Sequence, residues 1–144
     1  MTPRRLIRVL AVFEAITWTL LITALVVQST TVSDAFLTLA VGIHTLALVA
    51  FSATALLVAI NLRWSIGAAV LALLSAVIPL ATIPAALWLS RTGQLDGDWR
   101  REATEDPRDA TVIDRLTRWY VRHPLVFALI LLVGAVFVVG PPRA

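Results

Sequence analysis

Apolar residues gather into four long runs along this chain, at residues 6–27, 35–60, 65–89 and 124–140. A helix needs ~20 apolar residues to cross ~30 Å of hydrocarbon. The first three runs reach that length and the fourth sits at its lower limit. The pattern predicts an all-α integral membrane bundle of four transmembrane helices. Short polar breaks separate the first three, and Asn61-Leu62-Arg63-Trp64 is tight enough to join helices 2 and 3 as an antiparallel hairpin. One long polar segment precedes the fourth.

That segment, residues 90–123, holds seven arginines and seven carboxylates and is nearly neutral. Its first part, with Gly93 and Gly97, reads as a flexible loop. Asp106-Pro107 then offers an N-cap followed by proline at the first helical position. Beyond it Val112, Ile113, Leu116, Trp119 and Tyr120 fall on one helical face, which predicts an amphipathic helix at the membrane interface with Trp119 and Tyr120 as anchors. His123-Pro124 ends or bends it. Three segments follow: a three-helix membrane core at 1–91, the polar loop and surface helix at 92–123, and the fourth helix with a short tail at 124–144.

Trp64 and Trp88 bracket the third run. Their separation corresponds to about 36 Å of helix, placing one indole at each interface. Pro79 and Pro84 interrupt the same run, with Thr82 near enough to satisfy freed carbonyls. Ala68, Ala72 and Ala76 form a small-residue stripe that permits close helix packing.

Composition agrees with the class: 59% of residues are hydrophobic, 15% are charged, and mean hydropathy is +0.88, against ~45–50% apolar in soluble domains. Cysteine is absent, which removes disulfides and thiol chemistry. All twelve basic residues are arginine, and with the Ala and Val excess this reads as a bacterial codon bias. The arginines lie beside apolar runs, where they orient helices and meet anionic lipid head groups, so nucleic-acid binding is not expected. The basic start followed by an apolar stretch lacks a cleavage site and reads as a retained first helix.

Arginine placement and span count conflict. Arg4, Arg5 and Arg8 ahead of helix 1 favour a cytoplasmic N-terminus. Four crossings then leave five arginines inside and seven outside, and inversion reverses the count. A third helix re-entrant at its prolines leaves eleven inside and one outside. The Trp64–Trp88 spacing matches a full crossing. On that ground four spans are expected in the cell membrane, with both termini on one side and the N-terminus cytoplasmic.

Two runs carry a single ionisable residue well inside, Glu14 and His44. An ionisable group there is expensive and is a functional candidate by default. Their depths agree within a helical turn if helices 1 and 2 are neighbours, so a Glu14–His44 pair is expected, with Thr17, Trp18 and Thr45 as supporting polar groups. It reads either as a buried clamp fixing helix register or as a proton-titrating site. One His and one Glu are too few for a closed metal site. No catalytic or nucleotide-binding motif is present, and no cofactor is expected.

These residues also carry a resemblance. Glu14-Ala15-Ile16-Thr17, Gly42-Ile43-His44-Thr45, Trp64-Ser65 and Pro79-Leu80-Ala81-Thr82 stand in the order of four motifs. In that order residues 4–91 resemble a small bacterial integral-membrane family of unknown function. The chain departs at Ala15 and Thr45, where the pattern has Gly, and at Leu80-Ala81 for Phe-Gly. The resemblance implies three core membrane helices and supplies no activity, substrate or cofactor. The expected function is that of a non-enzymatic accessory or assembly subunit, in contact with the bilayer and with a protein partner or further copies of itself. The alternative is a proton-coupled small-solute transporter working as a homodimer through Glu14.

Overall fold

A computed structural model describes residues 1–30 and 34–139; residues 31–33 and 140–144, with Arg143 among them, lie outside. The described residues are helix and loop with no strand. Helix α1 (Pro3–Thr30) and helix α2 (Asp34–Leu62) are 28 and 29 residues long, about 42 Å each. Both are long and apolar enough to cross a membrane. They pack along one another as the most extensive helix pair.

Helix α2 ends on Arg63, whose φ of 55° lies in the left-handed region. Trp64 N–H donates to Ala59 O and Arg63 N–H to Ile60 O, the paired bonds of a Schellman cap usually built on glycine. Ser65 then N-caps helix α3 (Ile66–Val77), its hydroxyl accepting from Ala68 N.

The third apolar run is not one helix. It stops at Val77 and resumes as helix α4 (Thr82–Arg91). Ala81 N–H donates to Ile78 O across Pro79 and Leu80, and Leu80 has a φ of 63°. Proline second and a positive φ third is the arrangement of a type II turn. Pro84 falls in the first turn of α4, where a missing N–H costs nothing. The turn sends the chain back the way it came: the Trp64 indole N–H donates to Gln94 O, beyond the far end of α4. The two tryptophans therefore do not mark opposite interfaces, and the full crossing expected from their spacing is replaced by a hairpin. Thr82, at its tip, sits beside Ala11 and Glu14, roughly 12–17 Å along α1 from Pro3. The alanine stripe is a real seam: Ala68, Ala72 and Ala76 are buried in the core with Phe51, Ala55, Val58 and Leu89.

One face of the molecule thus gathers the start of α1, the end of α2, both ends of the hairpin and the polar loop. Arg4 donates to Ser90 O and Trp99 Nε1 to Met1 O. The loop is tied down rather than free, with Leu95 1% exposed in the core. A short 3-10 turn (Pro107–Ala110), capped by Asp106, leads to helix α5 (Val112–Arg122), capped by Thr111. Its Val112, Ile113, Leu116 and Trp119 face outward, while Thr117 and Arg118 are the residues buried against the protein. The chain then bends by 102° into helix α6 (Pro124–Val139), which packs on α2. By length and composition two helices suffice to cross a membrane, or three if the α5–α6 pair is one broken span.

Candidate functional site

Helix α1 presents Glu14, Thr17 and Trp18 at i, i+3 and i+4, hence on one face. Helix α2 brings His44 to that face, and the hairpin tip brings Thr82 and the carbonyl of Ala76. Glu14 and Thr82 are fully enclosed, and Thr17 and His44 nearly so.

Glu14 and His44 share the site but are not directly bonded. The Thr82 hydroxyl lies 2.7 Å from Glu14 Oε2 and 3.1 Å from Ala11 O. Thr17 Oγ1 lies 2.8 Å from the backbone oxygen of Glu14 and 3.0 Å from His44 Nδ1. A threonine hydroxyl has one proton to give. If Thr17 gives its proton to the Glu14 carbonyl, it accepts from His44, and the imidazole proton is on Nδ1. Thr17 therefore links His44 to the backbone of Glu14 and not to its carboxyl, which turns away to the hairpin.

Trp18 closes the site from both sides. Its ring lies against His44 with centroids 4.3 Å apart, and its Nε1 donates to Ala76 O at 3.3 Å. That carbonyl belongs to the last turn of α3, and the residue that would bond it four positions on lies in the Pro79–Leu80 turn. So Trp18, and not Thr82, satisfies this carbonyl at the break. Thr45 is half-buried and makes no hydrogen bond to Glu14 or His44. Glu14 Oε1 is buried with no hydrogen-bond partner among the described residues.

A second constellation, not foreseen from the sequence, binds the polar loop to the end of α2. Arg100 donates to Asn61 O at 2.6 Å, Ile60 O at 2.8 Å, Asp109 at 2.6 Å and Asp114 at 2.7 Å. Its backbone N–H reaches Asn61 Oδ1 at 2.9 Å. Asp109, 3% exposed, also accepts from Arg63 and from the backbone and hydroxyl of Thr104. Arg63 bonds Asp106 as well. Hydrogen bonds from Thr104, backed by Arg63 and Arg100, hold the Asp109 carboxyl well below the usual carboxylate range. Hydrogen bonds from Arg108, with a further one from Arg63, bring Asp106 down to about 2. The mixed charge of this segment was the signal in the sequence, and part of it is used internally: Arg100, Arg108 and Arg118 pair with Asp106, Asp109 and Asp114.

Of the expected interfacial anchors, Trp88 lines an outward groove of the hairpin, Trp119 lies on the exposed face of α5, and Tyr120 is half-buried. Trp64 ties the hairpin's base. No curated protein and no solved structure matches this chain significantly. A family model does, over residues 4–91, which is α1 through α4 with the whole of the Glu14 site. The chain belongs to the family described as a domain of unknown function (DUF3817).

Proposed function

We propose that the chain is a non-enzymatic accessory or assembly subunit of a larger complex in the bacterial plasma membrane. In this reading α1, α2 and α6 cross the bilayer and α3–α4 enters and leaves on one side. That side carries eleven of the twelve arginines and is cytoplasmic by the positive-inside rule. The observation that carries the proposal is the hairpin's two unlike sides. Its inner side is fixed by Glu14, Trp18 and the alanine seam. Its outer side bares an apolar groove of about 660 Å³, lined by Leu71, Leu74, Ile78, Pro84 and Trp88 among others. Neither arm is long enough to span by itself, so the face is built for lateral packing against another helix.

Reporter fusions at Met1 and Gly97 should report the same side; opposite sides would sink the re-entrant arrangement. The chain has no cysteine, so Leu74→Cys gives a single cross-linking position. A stoichiometric larger assembly in mild detergent, with Leu74→Cys linking to a different subunit, is the expected result. A link only to another copy of the same chain would favour the second reading.

That second reading, a proton-coupled transporter working through Glu14, draws on the proton inventory. Thr82 faces two acceptors with one proton. A proton on Glu14 completes the chain, Glu14 donating to Thr82 and Thr82 to Ala11 O. An enclosed ionisable group at a mid-depth helix break resembles the binding centres of transporters. Glu14→Gln should fold normally and abolish proton-linked solute flux in vesicles if this reading holds, and leave function intact if Glu14 is a clamp.

A further inference from the structure

A crevice of about 300 Å³ opens where the start of α1, the end of α2, the Trp99–Arg101 stretch and the α5–α6 corner meet. Its walls are apolar: Leu6, Leu57, Trp99, Val121 and Phe127. Two polar side chains line it, Arg101 and Tyr120. Neither makes a side-chain hydrogen bond or ion pair within the described residues. Tyr120 is steadied by ring contacts alone, with Trp119 at 5.2 Å and Phe127 at 5.4 Å.

Arg101, like Arg91 and Arg122, makes no side-chain hydrogen bond or ion pair among the described residues, and it is the one of the three that lines the crevice. Arg63, Arg100, Arg108 and Arg118 all give their protons to carboxylates or carbonyls of this chain. Arg101 is a spare cation, and no carboxylate lines the crevice beside it. A guanidinium and a phenol lining one apolar slot suit an anion attached to a hydrocarbon. Guanidinium recognises phosphate by paired, charge-assisted bonds. The slot is at the small end of ligand cavities, ~300–1,000 Å³, so it admits a single chain segment and no folded partner. The position fits as well: the corner lies on the arginine-rich face beside an interfacial helix, where lipid head groups are found.

We propose that this crevice is a binding site for an anionic phospholipid, with the phosphate against Arg101 and Tyr120 and one acyl chain between Leu6, Leu57 and Phe127. The site is separate from the hairpin groove, and the proposal does not depend on what that groove contacts.

Native mass spectrometry of the detergent-solubilised full chain tests it, with titrations of phosphatidylglycerol, phosphatidylcholine and inorganic phosphate. Phosphatidylglycerol should be retained in preference to phosphatidylcholine by roughly fivefold, the effect of one basic residue at an anionic lipid surface. Inorganic phosphate should not be retained. Arg101→Gln removes no internal contact and should bring the two lipids level. Phe127→Trp, which fills the slot, should lower retention of both. Equal retention of the two lipids by the parent would overturn the proposal, as would an Arg101→Gln variant that still prefers phosphatidylglycerol. Retention of inorganic phosphate with the same Arg101 dependence would also overturn it, reassigning the site to a soluble anion.

Discussion

The tip and the base of the α3–α4 hairpin are both held by side-chain hydrogen bonds, with opposite chemistry. At the tip, in the apolar interior, the donors are Thr82, which meets the Glu14 carboxyl, and the Trp18 indole, which meets the Ala76 carbonyl. At the base, Arg63, Arg100 and Arg118 converge on Asp106, Asp109 and Asp114. Desolvating an ion pair costs several kcal/mol per charge, so charge is concentrated where water is near. Interhelical bonds in a bilayer contribute only ~0.6–2 kcal/mol, because the separated helices find other partners. The comparison teaches that the base fixes where the hairpin begins and ends, and the tip fixes only how its turn sits on α1.

The comparison breaks first at Arg100. Arg100→Ala strips Asp109 and Asp114 of a shared partner and uncaps α2, an expected loss of about 3–5 kcal/mol. Hydrogen exchange across residues 98–118 should rise while α1 keeps its protection. Arg100→Lys should recover only part of this, because a point charge cannot reach four acceptors. Unchanged exchange in the alanine variant would mean the base is not held by this network.

Acid should loosen the base by another route. The unfolded carboxylate titrates near ~3.9, while Asp106 sits at about 2 and Asp109 is also depressed. Depressed carboxylates contribute stability in full above the unfolded value and lose it as pH falls toward the folded one. Loop protection should therefore be flat from neutral pH to about 4 and decline below that. A decline centred near pH 6 would point to histidine instead.

At the tip the effects are smaller. Thr82→Val should cost roughly 0.6–2 kcal/mol. In a double-mutant cycle with Glu14→Ala it should be non-additive, since both changes remove one bond. Glu14→Ala with His44→Ala should couple less, because Thr17 links His44 to the backbone carbonyl of Glu14, which the alanine keeps. A stronger Glu14–His44 coupling than Glu14–Thr82 would restore the direct pair. The least effect is expected at Leu80. Left-handed backbone costs a non-glycine residue about 1–2 kcal/mol, part of which glycine's looser unfolded chain returns. Leu80→Gly should raise the unfolding temperature slightly, and a fall would show that the half-exposed leucine side chain matters more than its backbone.

Much of this was legible beforehand, for reasons that also explain the errors. Helices α1 and α2 follow from length and apolar content alone, and the shared depth of Glu14 and His44 follows from them. The third run was misread because a crossing and a hairpin have the same composition, and Trp64 and Trp88 happen to lie one membrane thickness apart along a straight helix. Pro79 and the arginine count pointed the other way. The link through Thr17 and the turn of Glu14 toward Thr82 depend on side-chain direction, which periodicity cannot resolve. The Arg100 network joins residues some forty apart in sequence, and only its charge balance was visible.

The reversal at Ile78–Ala81 also bears on how the chain is made. Insertion machinery meets the third run before residues 92–122 exist, and hydropathy alone sends such a run straight across. In the proposed re-entrant reading, what returns it lies downstream: the arginines that resist translocation, and the Asp109 network, which joins Arg100 to Asn61 at the end of α2. In that reading the hairpin is finished late, by residues that follow the 4–91 stretch matched to the family.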